Sequence, residues 1–299
     1  MPQILGTTGA DSLDGTEQAD TIYGLAGNDT IIGNDGADDL YGNAGDDQFW
    51  AGTNDMGNDT INGAEGNDTI GAGAGNDSVL AGTGNDTVWG AAGDDNIRGE
   101  DGNDWIGGGA DNDRLRGGFG NDTIWGSTGS DSIYGNEDND TIGGGTGNDY
   151  IEGDHSGPVT GGDDMLFGFD GNDVIFGNGG NDTIYGGNGN DWLFSDDGDD
   201  EIWGGTGDDL IGLGTAGSDV LGFITGHGTD TVVGFQAGVA DEDVIDLRSF
   251  GLAGQLSDLI GNGTIYDNGG NVEIVTEPGS LIILNGLNTA ALVDNDFLL

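Results

Sequence analysis

The 299-residue chain has no cysteine and no lysine, and its formal cations are only Arg98, Arg114, Arg116 and Arg248. The absence of thiols fits an extracellular bacterial protein that never relied on disulfides. So few positive charges exclude a nucleic-acid surface, which needs clustered Lys and Arg, and disfavour anionic lipid. No run of about 18 apolar residues occurs, so no membrane span is expected. The opening Met1-Pro2-Gln3-Ile4-Leu5-Gly6 lacks a charged n-region and an apolar h-region, so a cleavable secretory signal is not expected either. Histidine is limited to His155 and His227, and neither His-Glu-x-x-His nor Gly-x-Ser-x-Gly is present. His155 reads as a solvated loop residue and His227 as a structural one in a degenerate frame, and a catalytic role is not expected.

Glycine and acid fill the space. There are 67 glycines and 56 Asp and Glu residues, for a net charge of −52. Self-repulsion and glycine backbone entropy both oppose collapse, so either the chain is disordered or cations belong to its fold. A nine-residue period decides for cations. Asp11, Asp20, Asp29, Asp38 and Asp47 each stand two residues before a large apolar side chain. After a three-residue slip at 52–55 the series resumes at Asp59, Asp68, Asp77, Asp86, Asp95, Asp104, Asp113, Asp122, Asp131, Asp140 and Asp149. After an insertion of about six residues at 153–161 it continues through Asp164, Asp173, Asp182, Asp191, Asp200 and Asp209, then loosens at Asp219 and Asp230. A disordered acidic chain has no reason to keep such a column.

These frames have the form G-x-x-G-x-D-x-U-x, where U is large and apolar. The first six residues read as a turn and the last three as a short strand with U pointing inward. Two frames then make one coil of about 18 residues, and successive frames fall on opposite sides. The predicted fold is all-β: a parallel β-roll over 1–233, followed by a β-rich cap over 234–299. Within the cap, 244–247, 271–275 and 280–284 read as strands, and a repeat stack needs such an atypical end unit. A carboxylate and the carbonyls of a glycine turn supply the six to eight oxygens that Ca²⁺ takes. A metal is therefore expected between Asp residues 18 apart, such as Asp68 and Asp86, with all 24 frame aspartates as candidate ligands. On the order of 20 ions would add about +40 and cancel most of the charge.

The frames Gly24-Leu25-Ala26-Gly27-Asn28-Asp29-Thr30-Ile31-Ile32 and Gly117-Gly118-Phe119-Gly120-Asn121-Asp122-Thr123-Ile124-Trp125 resemble the RTX (repeats-in-toxin) family. The resemblance implies a calcium-loaded parallel β-roll that is secreted by a one-step type I channel under an uncleaved C-terminal signal. The stretch 234–247 is similar to the cap that follows such rolls, and Asp296-Phe297-Leu298-Leu299 is similar to the export signals. Departures from the pattern are Ala72, Ala81 and Ser195 for the first glycine, and Gln18, Asp111 and Asp138 for turn glycines. The resemblance implies weaker calcium sites there. Family members commonly carry a catalytic domain before the roll, whereas here the repeats begin near Gly6.

The outward positions carry the remaining information. One face shows Trp50, Trp89 and Trp125 alternating with glycine, then Phe167, Tyr185 and Trp203. The opposite face gathers Arg98, Arg114 and Arg116. One reading is that each Trp covers a neighbouring glycine and protects the ladder. Another is an interface, since contiguous aromatics and Arg mark partner surfaces. The expected partners are calcium and further copies of the chain, forming a homo-oligomer, filament or layer. The alternative partner is an extracellular polysaccharide lying on the Trp face. A passive spacer or an ice-binding roll ranks lower, because the third frame position varies.

Overall fold

The computed structural model describes residues 2–52, 56–155, 161–238, 243–252 and 255–299. The insert positions 53–55 and 156–160, and residues 239–242 of the predicted cap, lie outside the described residues. Two compact units divide at Tyr150 and Ile151.

Unit 1 consists of two parallel sheets. One holds Gln3–Leu5, Thr21–Ala26, Asp39–Ala44, Thr60–Glu65, Ser78–Thr83, Asn96–Asp101, Arg114–Phe119 and Ser132–Glu137, in that order. This is the arginine sheet. The other holds Ser12–Asp14, Thr30–Ile32, Gln48–Trp50, Thr69–Ala74, Thr87–Ala92, Trp105–Ala110, Thr123–Thr128 and Thr141–Thr146, and is the tryptophan sheet. Neighbouring strands pair residue for residue at an offset of 18, as in Thr87↔Trp105, Val88↔Ile106 and Trp89↔Gly107. The parallel roll expected from the period is therefore the fold. The three-residue insert does not break the ladder. Asp39 pairs with Thr60 and Gln48 with Thr69, so the extra length is absorbed in the turn.

The U residues form the core. Ile22, Leu40, Ile61, Val79, Ile97, Leu115 and Ile133 of one sheet, with Ile31, Phe49, Ile70, Val88, Ile106, Ile124 and Ile142 of the other, are 0–2% exposed. Leu13, on the first rung of its sheet, is only half-buried.

The strands are longer than the three residues the frame suggests. Most run six, as in Thr123–Thr128, passing through U and the following glycine. That glycine is buried and stays in the ladder because it has no side chain to displace the carboxylate beneath it. The chain then bends through a left-handed residue, non-glycine at Leu25 (φ 86°) and Glu100 (φ 80°). Each such residue carries about 1–2 kcal/mol of backbone cost.

Unit 2 repeats the plan and then closes it. Met165–Asp170, Thr183–Asn188, Glu201–Thr206, Val220–Gly222, Val244–Asp246 and Phe297–Leu298 form one parallel series. Val174–Gly179, Trp192–Asp197, Leu210–Gly212, Thr229–Val233 and Ser280–Leu284 form the other, and Asn271–Glu277 and Ile265–Asn268 add to it antiparallel. The three predicted cap strands are present. The helix Leu256–Asn262 and the strand Phe297–Leu298 are additions that the sequence reading lacks.

His227 joins roll to cap. It is 1% exposed, with Nδ1 2.6 Å from Asp230 Oδ2 and Nε2 2.7 Å from Thr276 Oγ1, between the rings of Phe223 and Phe250.

A core this narrow predicts a large cost for truncation. In calcium, Ile106→Ala is expected to destabilise by about 2–5 kcal/mol. The outward Thr123→Ala on the next rung should change stability by less than about 0.5 kcal/mol. Denaturant unfolding of both variants in calcium measures the difference.

Candidate metal centres

In unit 1 the frame aspartates form two lines, one at each end of the strands. The first runs Asp11, Asp29, Asp47, Asp68, Asp86, Asp104, Asp122 and Asp140. The second runs Asp20, Asp38, Asp59, Asp77, Asp95, Asp113, Asp131 and Asp149. Along each line, the backbone N–H of one aspartate donates to Oδ1 of the next, at 2.7–2.9 Å. Unit 2 continues the pattern through Asp164, Asp182, Asp200 and Asp219, and through Asp173, Asp191, Asp209 and Asp230. Aspartates 18 residues apart are thus brought together. The frame aspartates from Asp20 onward are buried, and Asp11 is half-buried.

One carboxylate oxygen is used by this ladder, and the second is not. Oδ2 of Asp29, Asp47, Asp68, Asp86, Asp95, Asp104, Asp113, Asp122 and Asp131, and of Asp182, Asp191 and Asp209, is buried with no hydrogen-bond partner. A buried anionic oxygen without a partner costs several kcal/mol, so the position calls for a cation or a proton. The surroundings suit a cation. A Cβ placed on Gly99 would collide with Asp104 Oδ2 and lie 2.8 Å from the Gly117 carbonyl oxygen. Carboxylate and carbonyl oxygen therefore face the same small space, where glycine is usual and Ala72, Ala81 and Ser195 are the exceptions. In the turn itself, Gly102 (φ 141°) faces the carbonyl oxygen of Gly84 at similarly close range. Among the described residues no three acidic or imidazole side chains converge. One or two carboxylates with backbone carbonyls are the donors that such a space offers, a hard oxygen set that fits Ca²⁺.

Without a metal these carboxylates hold protons unusually well. Burial pushes Asp47 and Asp86 up to about 6, Asp68, Asp95 and Asp104 to about 7, and Asp113 and Asp122 to about 8. Asp219 in unit 2 also reaches about 8. The hydrogen bond from the preceding backbone N–H pulls the other way in every case, and neighbouring carboxylates add to the rise in most.

The lines end on carboxylates whose second oxygen is already satisfied. Oδ2 of Asp11 accepts from the N–H and hydroxyl of Thr7, and that of Asp20 from those of Thr16. Asp230 Oδ2 meets His227, and Asp243 Oδ2 accepts from Gln236 N–H at 2.7 Å. The nine-residue period lists Asp11, Asp20 and Asp230 with the others, because it does not see what caps them. A second ladder also escaped the sequence reading. Asn85 N–H donates to Asn67 Oδ1 at 2.7 Å, Asn103 to Asn85 at 2.9 Å and Asn121 to Asn103 at 3.1 Å. Its signal is the Asn or Asp that regularly precedes the frame aspartate.

The departures from the frame are accommodated. Ala72, Ala81 and Ser195 are fully buried where glycine is usual, and Asp111 and Asp138 take left-handed backbone (φ 76° and 72°). On the outer surface, Trp50 and Trp89 are 43% and 40% exposed, and Trp125 is half-buried. Trp50 lies over Gly71, its Cε3 2.9 Å from where a Cβ would stand, and Trp203 likewise covers Gly222. Phe167, Tyr185 and Trp203 stack with ring centroids 5.2 and 6.3 Å apart. Arg98 and Arg116 are cross-strand neighbours, and Arg114 and Arg116 lie 5.2 and 5.5 Å from the ring of Tyr134.

Two outcomes follow. The folded carboxylates titrate above the ordinary 3.8, so their contribution to the metal-free roll is fully present below about pH 4 and is lost as pH rises through about 6–8. In chelator, circular dichroism should show β structure at acid pH giving way to coil by pH 8. In calcium the order reverses: protons compete for the carboxylates, so the half-saturating calcium for folding should rise as pH falls from 8 to 6. Asp104→Asn should likewise raise the calcium requirement and reduce cooperativity, while Asp46→Asn, on the exposed ladder, should leave both near wild type.

Comparison with known proteins agrees with this chemistry. The family model described as RTX calcium-binding nonapeptide repeat matches residues 5–40, 23–55, 55–79, 80–115, 116–151, 159–184, 176–211 and 185–221. A comparison with curated proteins gives no match. Among solved structures, the extracellular lipase LipA from Serratia marcescens is similar at 17% identity and a TM-score of 0.34, over 76% of this chain. The match spans 40% of the lipase chain. With its repeats matched over most of its length and carboxylates aligned in glycine turns, the chain belongs to the RTX calcium-binding nonapeptide repeat family.

Proposed function

We propose that this chain is a non-catalytic, secreted structural protein that leaves the cell unfolded, folds on extracellular calcium and then assembles with copies of itself into a filament, layer or matrix. The observation that carries the reading is the line of buried, unpartnered carboxylate oxygens in each unit. Holding these oxygens ionised inside the roll without a cation is costly, because burial opposes the charge. Extracellular calcium modules bind at about 10⁻⁴–10⁻³ M, far above cytosolic calcium, so folding waits for export. Type I secretion is the route that family membership supports. Assembly draws support from the outer surface, where Trp50, Trp89, Phe119 and Trp192 are 40–58% exposed. Exposed aromatics beside arginine are the residue types that dominate binding surfaces.

A second reading, polysaccharide binding, draws on one feature. Trp50 and Trp89 flank a groove of about 360 Å³ floored by Gly71, Gly73 and Ala74. Its apolar walls suit the faces of sugar rings.

Calcium titration of chelated protein, followed by circular dichroism and light scattering together, separates the readings. The expected outcome is conversion of coil to β followed by growth of very large particles. Conversion with scattering held at monomer size removes assembly and leaves the polysaccharide reading. No conversion at millimolar calcium removes calcium-driven folding itself.

A further inference from the structure

Three of the four arginines sit together on the arginine sheet of unit 1. Arg98 and Arg116 stand on successive rungs, about 4.8 Å apart along the ladder, and Arg114 emerges two residues before Arg116. In a chain of net charge −52, a carboxylate partner for each is the ordinary expectation. The ion pairs of the described residues are instead His227–Asp230 and Arg248–Asp246. The guanidinium groups of Arg114 and Arg116 pack against Tyr134, a contact that places the positive charge without neutralising it. Burial and the charges of Arg114 and Arg98 hold the Arg116 pKa below its usual value. Beside the pair is a recess of about 230 Å³ lined by Arg98, Arg116, Phe119 and Asn136 together with Glu100 and Glu137. Phe119 is 58% exposed. Like charges on adjacent rungs are destabilising, and the charge of Glu100 only partly offsets those of Arg98 and Arg114 at Arg116.

Unit 2 carries a surface of the opposite kind. One turn runs Ser195-Asp196-Asp197-Gly198-Asp199, with acids at both variable positions, and Asp199, in the slot before the frame aspartate, accepts from Ser218 N–H at 2.8 Å. Asp196, Asp197 and Asp199 are exposed on this one turn, and Asp196 takes a left-handed backbone (φ 65°). Trp192, on the same strand, is 56% exposed. No ion pair among the described residues reaches these carboxylates.

We infer that the Arg98–Arg114–Arg116 patch of one copy receives the Asp196–Asp197–Asp199 turn of a second copy. The inference rests on the assembly reading above and names its contact. Each surface has what the other lacks: crowded guanidinium groups with an exposed Phe119, and crowded carboxylates with an exposed Trp192. Arg–carboxylate pairs are directional and often bidentate, so the contact fixes orientation as well as affinity. It joins two different surfaces, and a heterologous contact propagates into rings or open filaments rather than stopping at a dimer. Electrostatic attraction across the contact also makes it sensitive to salt.

Charge reversal in the full chain at saturating calcium tests it, with light scattering and sedimentation velocity as readouts and circular dichroism as the check on folding. Arg114→Glu with Arg116→Glu is expected to reduce large species at least tenfold, and Asp196→Arg with Asp197→Arg to do the same. All four changes in one chain should restore them. If either reversed protein fails to fold, the neutral pairs Arg114→Gln with Arg116→Gln and Asp196→Asn with Asp197→Asn carry the test, each expected to weaken assembly severalfold. Wild-type protein that stays monomeric overturns the assembly reading and this contact with it. Wild-type assembly that survives both reversals overturns the contact alone. Loss in both reversals without restoration in the combination overturns the pairing of these two surfaces. Monomeric wild type retained on an acidic polysaccharide, with retention lost on reversing the arginines, assigns the patch to a glycan instead.

Discussion

Everything in this fold depends on one oxygen per frame. Each frame aspartate gives Oδ1 to the N–H of the aspartate one coil earlier, which ties the turns into a line. Oδ2 is then left facing a glycine and a carbonyl, buried and, along much of each line, without a partner. The sheets, the U core and the glycine turns are all compatible with this placement, but none of them relieves it. Neutral U side chains favour the roll by burial, and the carboxylates beside them oppose it unless a cation or a proton intervenes. Stability and calcium are therefore one question in this chain.

The same constraint explains how the lines stop. At the first turns Thr7 and Thr16 satisfy the second oxygen from within the turn. Toward the cap, His227 and the Gln236 N–H take over, and His227 passes the connection on to Thr276 of the closing hairpin. Protein donors thus stand where the line needs an end. Asp20 shows the limit of this arrangement: its Oδ1 has no partner, because the residue 18 positions earlier is Pro2, which has no N–H to give.

The surface follows a separate logic from the interior. Alternation of Trp and Gly across rungs lets the Trp50 ring lie over Gly71 while much of it remains exposed. The ring protects the ladder and presents an apolar edge at once, so the protective and the binding readings of these residues describe one arrangement. In unit 2 the aromatics of Phe167, Tyr185 and Trp203 have no glycine between them, and they stack on one another instead.

A nine-residue period with an invariant Asp was enough to determine the roll, the 18-residue coil, the inward column and the pairing of Asp68 with Asp86. Each follows from a strict repeat, in which one local conformation is copied and neighbours must fall into register. Tertiary structure alone decided what the period does not encode. The six-residue strands arise because a small residue, usually glycine, can remain in the ladder above a carboxylate. The short helix Leu256–Asn262 is held by burial of Leu256 and Leu259, in a segment too short for a periodic signal. The second oxygens satisfied by Thr7, Thr16 and His227, and the lack of an ion pair to Arg98, Arg114 or Arg116 among the described residues, are facts of position. Sequence spacing says which residues share a face. Only packing says which of them have found a partner.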